Sequence, residues 1–374
     1  MKIGVRTIVL NENYGGILQA YALQRILREM GHDATLIDRR RGFHMPFGAK
    51  CKSYTKRFLM RYILNKNIPV RIDAKIENDI KIMSTYTRPF IDKYIKRIIT
   101  SDFSNISERD FDAYIVGSDQ IWRAPASRPQ LYNVFLEFTQ GWNVKRLSYA
   151  ASFSTEEWEY NNEETEHCGK LLRKFDKVSV REISGVNLCK KKFDKEATFV
   201  LDPTMLIEKE EYSKLFEDAN TAQSNGELFC YILDKSNEKE RLINNVAKIK
   251  GYKPFFVNSK YQDETAPIEE RIQPPVEEWL RGFHDAKFVI TDSFHACVFS
   301  IIYNKPFIVY KNEGRGNARF DSLLRTFGLE ERSFSDINAL ENIANKEINW
   351  EEVNKKLKSL KEQSLNYLKE ALNA

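Results

Sequence analysis

Residues 287–310, Lys-Phe-Val-Ile-Thr-Asp-Ser-Phe-His-Ala-Cys-Val-Phe-Ser-Ile-Ile-Tyr-Asn-Lys-Pro-Phe-Ile-Val-Tyr, constrain this chain most. Residues 288–290 are a short apolar run of the kind buried in a parallel sheet. Thr291, Asp292 and Ser293 are residue types whose side chains accept from free N–H groups at a helix start. A helix is predicted from about Phe294 to Tyr303, Lys305-Pro306 stops it, and a strand follows at 307–310. Strands joined through a helix imply an α/β architecture. His295 then falls in the first turn of a helix, just past the carboxyl end of a strand, where open α/β sheets bind ligands. Free N–H groups and the helix dipole favour an anion there. A histidine beside that anion can donate a proton; the alternative is that His295 only caps or packs the turn.

The same alternation recurs on both sides of a polar, turn-rich stretch at 218–227, and 374 residues are too many for one ordinary core. Two Rossmann-like domains are expected: 1–218, with a helical insertion at about 41–100, and 227–348. Residues 349–374 form a final helix that can cross back over the first domain. The first unit reads as a strand at 3–10, a loop at 11–16, a helix at 17–30 and a strand at 34–37. Its loop carries Asn13, Gly15 and Gly16, which let backbone approach a ligand at a helix start or supply a turn with positive φ. Asp38 ends the second strand as a ribose-binding acid would, but the glycine fingerprint of a dinucleotide site is missing, so no such cofactor is expected.

Further strands end on polar groups: Ser118 and Asp119 after 111–116, Ser152 after 146–150, Arg181 after 177–180 and Asp202 after 198–201. Convergence of such tips outweighs any one of them. An arginine at a strand end can grip a carboxylate or phosphate in two places; the alternative for Arg181 is a salt bridge with Glu182 or another neighbour. In the second half, Arg315 and Arg319 either add positive charge opposite His295 or are solvated loop arginines.

Residues 50–66 interleave Lys50, Lys52, Lys56, Arg57, Arg61 and Lys66 with Tyr54, Phe58, Leu59, Met60, Tyr62, Ile63 and Leu64. Such a helix either packs its apolar face on the domain with its basic face solvated, or rests peripherally on the inner, anionic face of a membrane. No apolar run approaches the length of a span. The chain opens directly on a predicted strand, and a cytoplasmic protein without a leader peptide is expected. The five cysteines form no CxxC pair and the five histidines no ligand spacing, so no metal site is expected. A net charge of +5 suits an anionic ligand, and no nucleic-acid motif is present.

Six stretches in order resemble the polysaccharide pyruvyl transferases. They are Asn13-Tyr14-Gly15-Gly16, Val116-Gly117-Ser118-Asp119-Gln120-Ile121-Trp122, Ser148-Tyr149-Ala150-Ala151-Ser152-Phe153, Ser179-Val180-Arg181-Glu182, Leu201-Asp202-Pro203 and Thr291-Asp292-Ser293-Phe294-His295. The resemblance implies a GT-B-like fold of two Rossmann-like halves around a cleft, with a C-terminal helix crossing back. It implies transfer of a pyruvyl group from phosphoenolpyruvate to a sugar, or to a lipid-linked oligosaccharide precursor, as a cyclic ketal. His295 matches the family's proposed general acid, and Arg181 matches its donor-binding arginine. Many members have Arg-Leu-His where this chain has Ser293-Phe294-His295, so either Arg315 or Arg319 supplies the missing cation or the donor differs. A glycosyltransferase using a nucleotide sugar and a non-catalytic paralogue are the alternatives.

Overall fold

Four of the five residues of β1 (Lys2–Arg6) are buried, as expected of a strand inside a sheet. The computed structural model, which describes residues 1–39, 47–128, 130–311, 316–334 and 337–373, sets β1 in the middle of a five-stranded parallel sheet. The order is β3-β2-β1-β4-β5, with β2 at Asp33–Arg39, β3 at Arg97–Thr100, β4 at Ala113–Val116 and β5 at Lys145–Ser148. The chain order reverses between β1 and β4, so the loops that follow these two strands open the crevice of a doubly wound sheet.

Helix α1 (Tyr14–Glu29) follows β1 and begins earlier than the sequence suggested. Asn13 caps it by accepting from Gly16 N at 3.2 Å. Gln24, the polar residue on its apolar face, donates to Lys96 O at 2.5 Å and accepts from Lys96 N at 3.1 Å, which ties α1 to the start of β3. The segment predicted to be wholly helical contains α2 (Phe47–Tyr62), α3 (Ile72–Met83) and α4 (Thr87–Tyr94), but it closes with β3. β6 (Ser179–Val180) and β7 (Thr198–Phe199) pair with each other, and bridges from Leu147 to Lys177 and from Ala151 to Val180 join them to the β5 side.

A second parallel sheet has the order β11-β10-β8-β9, with β8 at Leu228–Tyr231, β9 at Pro254–Phe255, β10 at Phe288–Thr291 and β11 at Phe307–Val309. Asp292, at the end of β10, accepts from Leu233 N at 2.7 Å, Asp234 N at 3.0 Å and Lys239 Nζ at 2.6 Å. That buried carboxylate fixes the β8 loop and aims the helix that follows. The chain thus has the two Rossmann-like sheets that a GT-B-like fold requires.

The two sheets meet on an aromatic seam inside one hydrophobic cluster. Tyr14 of α1 lies 5.4 Å from Trp279, and Tyr212 lies 4.9 Å from Phe299, between ring centroids. The Tyr14 hydroxyl donates to Pro274 O at 2.8 Å. The last helix, Trp350–Asn373, returns to the first sheet. Its Ser364 Oγ accepts from Leu201 N at 3.0 Å, and its Tyr367 hydroxyl donates to Ser148 O at 3.0 Å.

Candidate active site

The seam brings the N-terminus of α1 against the N-terminus of the helix Phe294–Ile302, so that Gly15 and His295 touch. Gly15 and Gly16 were read as loop residues. They occupy the first turn of α1 instead, and neither has a positive φ. What Gly15 supplies is the absence of a side chain: a Cβ there would overlap Nδ1 and Cγ of His295. Gly16 faces Ile8 in the same way. Gly15→Ala is therefore expected to push the imidazole off its place. It should lower turnover by about a hundredfold, the cost of an ångström-scale misplacement, while the far-ultraviolet circular dichroism is unchanged.

The loop after β4 is held from α1. Gln19 accepts from Ser118 N and from Ser118 Oγ, both at 2.9 Å, and its amide nitrogen donates to Thr7 Oγ1 and Gly16 O, both at 2.8 Å. This clamp presents Asp119, whose φ is +61°, to the end of β6. There Arg181 donates from Nη2 to Asp119 Oδ1 at 2.8 Å and from Nη1 to Asp202 Oδ2 at 2.7 Å. Asp202 spends its other oxygen on Thr204, accepting from N at 3.0 Å and from Oγ1 at 2.7 Å. His295 Nε2 lies 3.7 Å from Asp202 Oδ2, beyond hydrogen-bond length, and has no hydrogen-bond partner among the described residues.

The charges of this cluster are out of water. The Arg181, Asp119 and Asp202 side chains are at most 4% exposed. Burial alone would raise both aspartate pKa values, but the cations around them outweigh it. Arg181, His295 and Arg319 hold Asp119 below the usual carboxylate range. His295, Arg181 and the Thr204 hydroxyl hold Asp202 well below it. Glu182 behaves oppositely. Its Oε1 accepts from Phe153 N at 2.7 Å and Ser154 N at 3.2 Å, turned to the loop after β5, and burial pushes its pKa up.

Arg319, in the first turn of the helix Ala318–Phe327, completes the group and is 6% exposed. The Gln120 amide oxygen faces it, 2.6 Å from Nη1 and 3.1 Å from Nη2. Phe294 lies between the arginines, its ring centroid 4.4 Å from Arg181 Cζ and 5.5 Å from Arg319 Cζ. Burial, with Arg181 nearby, pulls the Arg319 pKa down to about 9, against the pull of Asp119 and Glu182. An anion arriving here would relieve that strain on the cation.

The structure therefore unites Gly15, Asp119, Arg181, Asp202, His295 and Arg319, and Ser118 supports Asp119. Other predicted residues have local tasks. The Asn13 side chain is the cap of α1. Ser152 Oγ accepts from Ser154 N at 3.1 Å. Ser293 precedes the His295 helix, and its N–H donates to Thr291 Oγ1 at 3.0 Å. Arg315 lies outside the described residues. Sequence reading passed over Gln19, Gln120, Glu182 and Phe294 as members. The available signals were that Gln120, Glu182 and Phe294 each sit next to a singled-out residue and inside the stretches that carry the family resemblance.

The family model for polysaccharide pyruvyl transferase matches residues 13–314, a span that runs from the cap of α1 past His295. The chain belongs to that family. Among solved structures, this pyruvyl transferase family member is similar to UDP-GlcNAc 2-epimerase from Neisseria meningitidis, at 13% identity over 98% of this chain and 99% of that one, with a TM-score of 0.42. It is also similar to MurG from Acinetobacter baumannii, at 11% identity over 96% and 94% of the two chains, with a TM-score of 0.43. No curated protein matches the sequence.

Proposed function

We propose that the protein moves the pyruvyl group of phosphoenolpyruvate onto two hydroxyls of a sugar in a cell-surface polysaccharide or its lipid-linked precursor, closing a pyruvate ketal. It acts at the cytoplasmic face of the membrane, in the cleft between units 1–218 and 227–348. The observation that carries this reading is the buried meeting of His295 with Asp202, Arg181 and Arg319 at the carboxyl ends of strands from both sheets.

Phosphoenolpyruvate carries a carboxylate and a phosphate, and Arg319, whose Nη atoms face the neutral amide of Gln120, is the cation proposed to take one of them. Arg181 already spends both Nη atoms on Asp119 and Asp202; its part is to fix those carboxylates and to lend positive potential. His295 delivers a proton to the methylene carbon of the donor, which leaves an oxocarbenium-like centre on the neighbouring carbon. One sugar hydroxyl adds there and gives up its proton. The bond from that carbon to the phosphate oxygen breaks, phosphate leaves with a proton, and the second hydroxyl closes the ring. The proton of that hydroxyl restores His295. Buried positive charge beside the leaving group stabilises the negative charge that grows on it.

The test is a donor screen by thermal shift and phosphate release. Phosphoenolpyruvate should raise the melting temperature and support acceptor-dependent phosphate release. Arg319→Met should raise the KM for phosphoenolpyruvate roughly ten- to a hundredfold, the loss of a charged hydrogen-bond pair. A second reading draws on a recess of about 400 Å³ at the ends of β8 and β9, lined by Asp234, Lys235, Asn258 and Tyr261. Stabilisation by a nucleotide sugar, with none by phosphoenolpyruvate, would replace pyruvyl transfer with glycosyl transfer.

A further inference from the structure

Five large apolar side chains crowd onto 58–64 and face solvent: Phe58 is 52% exposed, Leu59 45%, Tyr62 62%, Ile63 70% and Leu64 61%. The sequence left open whether this segment packs its apolar side on the domain. It does not. On α2, Cys51, Thr55, Phe58, Leu59 and Tyr62 follow the spacing of one helical stripe, and all are exposed. At 100° per residue, Lys52 and Lys56 border the stripe on one side and Arg61 on the other, and these three are also exposed. The flank on which Arg61 lies also holds α2 to the molecule. Lys50 Nζ lies 2.7 Å from Asp73, the Tyr54 hydroxyl donates to Asp73, and Arg57 Nη1 donates to Pro69 O at 3.3 Å.

Charge says what covers the stripe. Between Asp38 and Asp73 the sequence contains no acidic residue, while residues 50–71 carry Lys50, Lys52, Lys56, Arg57, Arg61, Lys66 and Arg71. A second copy docked through the same face would set these cations against themselves. Beside α2, α3 forms one wall of a recess of about 1050 Å³ with Ile80, Ile82 and Lys81, opposite Val9, Ile99 and Arg88. That lining mixes apolar side chains with two cations, Lys81 and Arg88, and two acids, Glu77 and Asp92, and it lies at the carboxyl edge of the first sheet.

We propose that α2 is the membrane-docking element of this protein. Phe58, Leu59, Tyr62, Ile63 and Leu64 enter the headgroup boundary of an anionic bilayer, and Lys52, Lys56, Arg61 and Lys66 engage its phosphates. The recess walled by α3, to which α2 is tied through Asp73, would then take the sugar of a lipid-linked acceptor; this last step rests on the proposed function, and the docking does not.

The test uses the full chain and co-sedimentation with vesicles of phosphatidylglycerol mixed into phosphatidylcholine, against phosphatidylcholine alone, without phosphoenolpyruvate. Binding is expected on the anionic vesicles, weak on the neutral ones, and reduced by high salt. Removing a cation should lower the partition roughly fivefold, and K52Q/K56Q/R61Q together about a hundredfold. F58S/Y62S/I63S keeps every charge and should also release the protein, which separates insertion from simple attraction between charges. Cys51 is the exposed cysteine and the other four are buried, so an environment-sensitive thiol dye on it should shift to the blue on anionic vesicles. Failure to bind the anionic vesicles, equal binding to both kinds, or serine variants that bind like the parent would each overturn the proposal. So would self-association abolished by the serine variants, which would make the occupant a second copy. Turnover on a water-soluble acceptor stays unchanged in these variants, so loss of docking and failure of the pyruvyl reading give different results.

Discussion

Arg181→Met is expected to destabilise the protein by about 3–5 kcal/mol, the cost of removing one partner from a buried ion pair. The reason is local. Asp119 and Asp202 are both buried, and Arg181 stands between them with each Nη committed to one carboxylate, alongside the lowering pull of His295 on both and of Arg319 on Asp119. Without the guanidinium, two like charges face each other out of water. Denaturant midpoints of the parent and the variant measure the loss. Asp119→Asn and Asp202→Asn added to Arg181→Met should recover part of it, because the two carboxylates no longer face each other as buried charges, while Arg319 loses the support of Asp119. A single variant as stable as the parent would show that water reaches the cluster and that Arg181 is free to serve the substrate directly.

His295→Ala is expected to do the reverse, leaving the fold in place and lowering kcat by roughly 10²–10⁴-fold, the contribution of a positioned acid. Its Nε2 makes no hydrogen bond among the described residues, so the fold loses little polar contact with it. The variant should still bind phosphoenolpyruvate, because Arg319 and the helix N-terminus remain. Stopped-flow or steady-state phosphate release measures the first effect and thermal shift the second. Turnover equal to the parent would remove His295 from the reaction. The two variants make a crossed pair: Arg181 fails in stability, His295 in rate.

How the site could be read from sequence divides along a physical line. The stretch around His295 folds as its pattern says, with β10 at Phe288–Thr291, a helix at Phe294–Ile302 and β11 at Phe307–Val309. Here local propensity and burial agree, but Ser293 makes no side-chain cap and the Asp292 carboxylate turns to the loop after β8 instead. Asp119, Arg181 and Asp202 were visible as separate strand tips, but their pairing was not, since it depends on distances between segments far apart in the chain. β3 escaped notice because its sequence, Arg-Ile-Ile-Thr, continues a segment of helical character and exposes Ile98 and Ile99. The β-branched Ile98, Ile99 and Thr100 themselves suit a strand, and pairing with β2, with the Gln24 clamp, holds them in one. Gly15 and Gly16 misled for a related reason. Glycine at the head of a helix signals a loop by composition, and only the His295 ring on top of it explains the choice. The sequence also could not decide which side of α2 meets the molecule, because a stripe of aromatic and aliphatic residues looks the same whether protein or lipid lies against it.

The contact between Gly15 and His295 has a further consequence. His295 follows a strand of the second sheet and its glycine seat a strand of the first, so neither half of the chain holds the whole cluster. If the seam opens by the width of a water molecule, the imidazole leaves its carboxylate and its glycine seat in the same motion. Under the proposed function, that coupling would restrict pyruvyl transfer to molecules whose seam is closed.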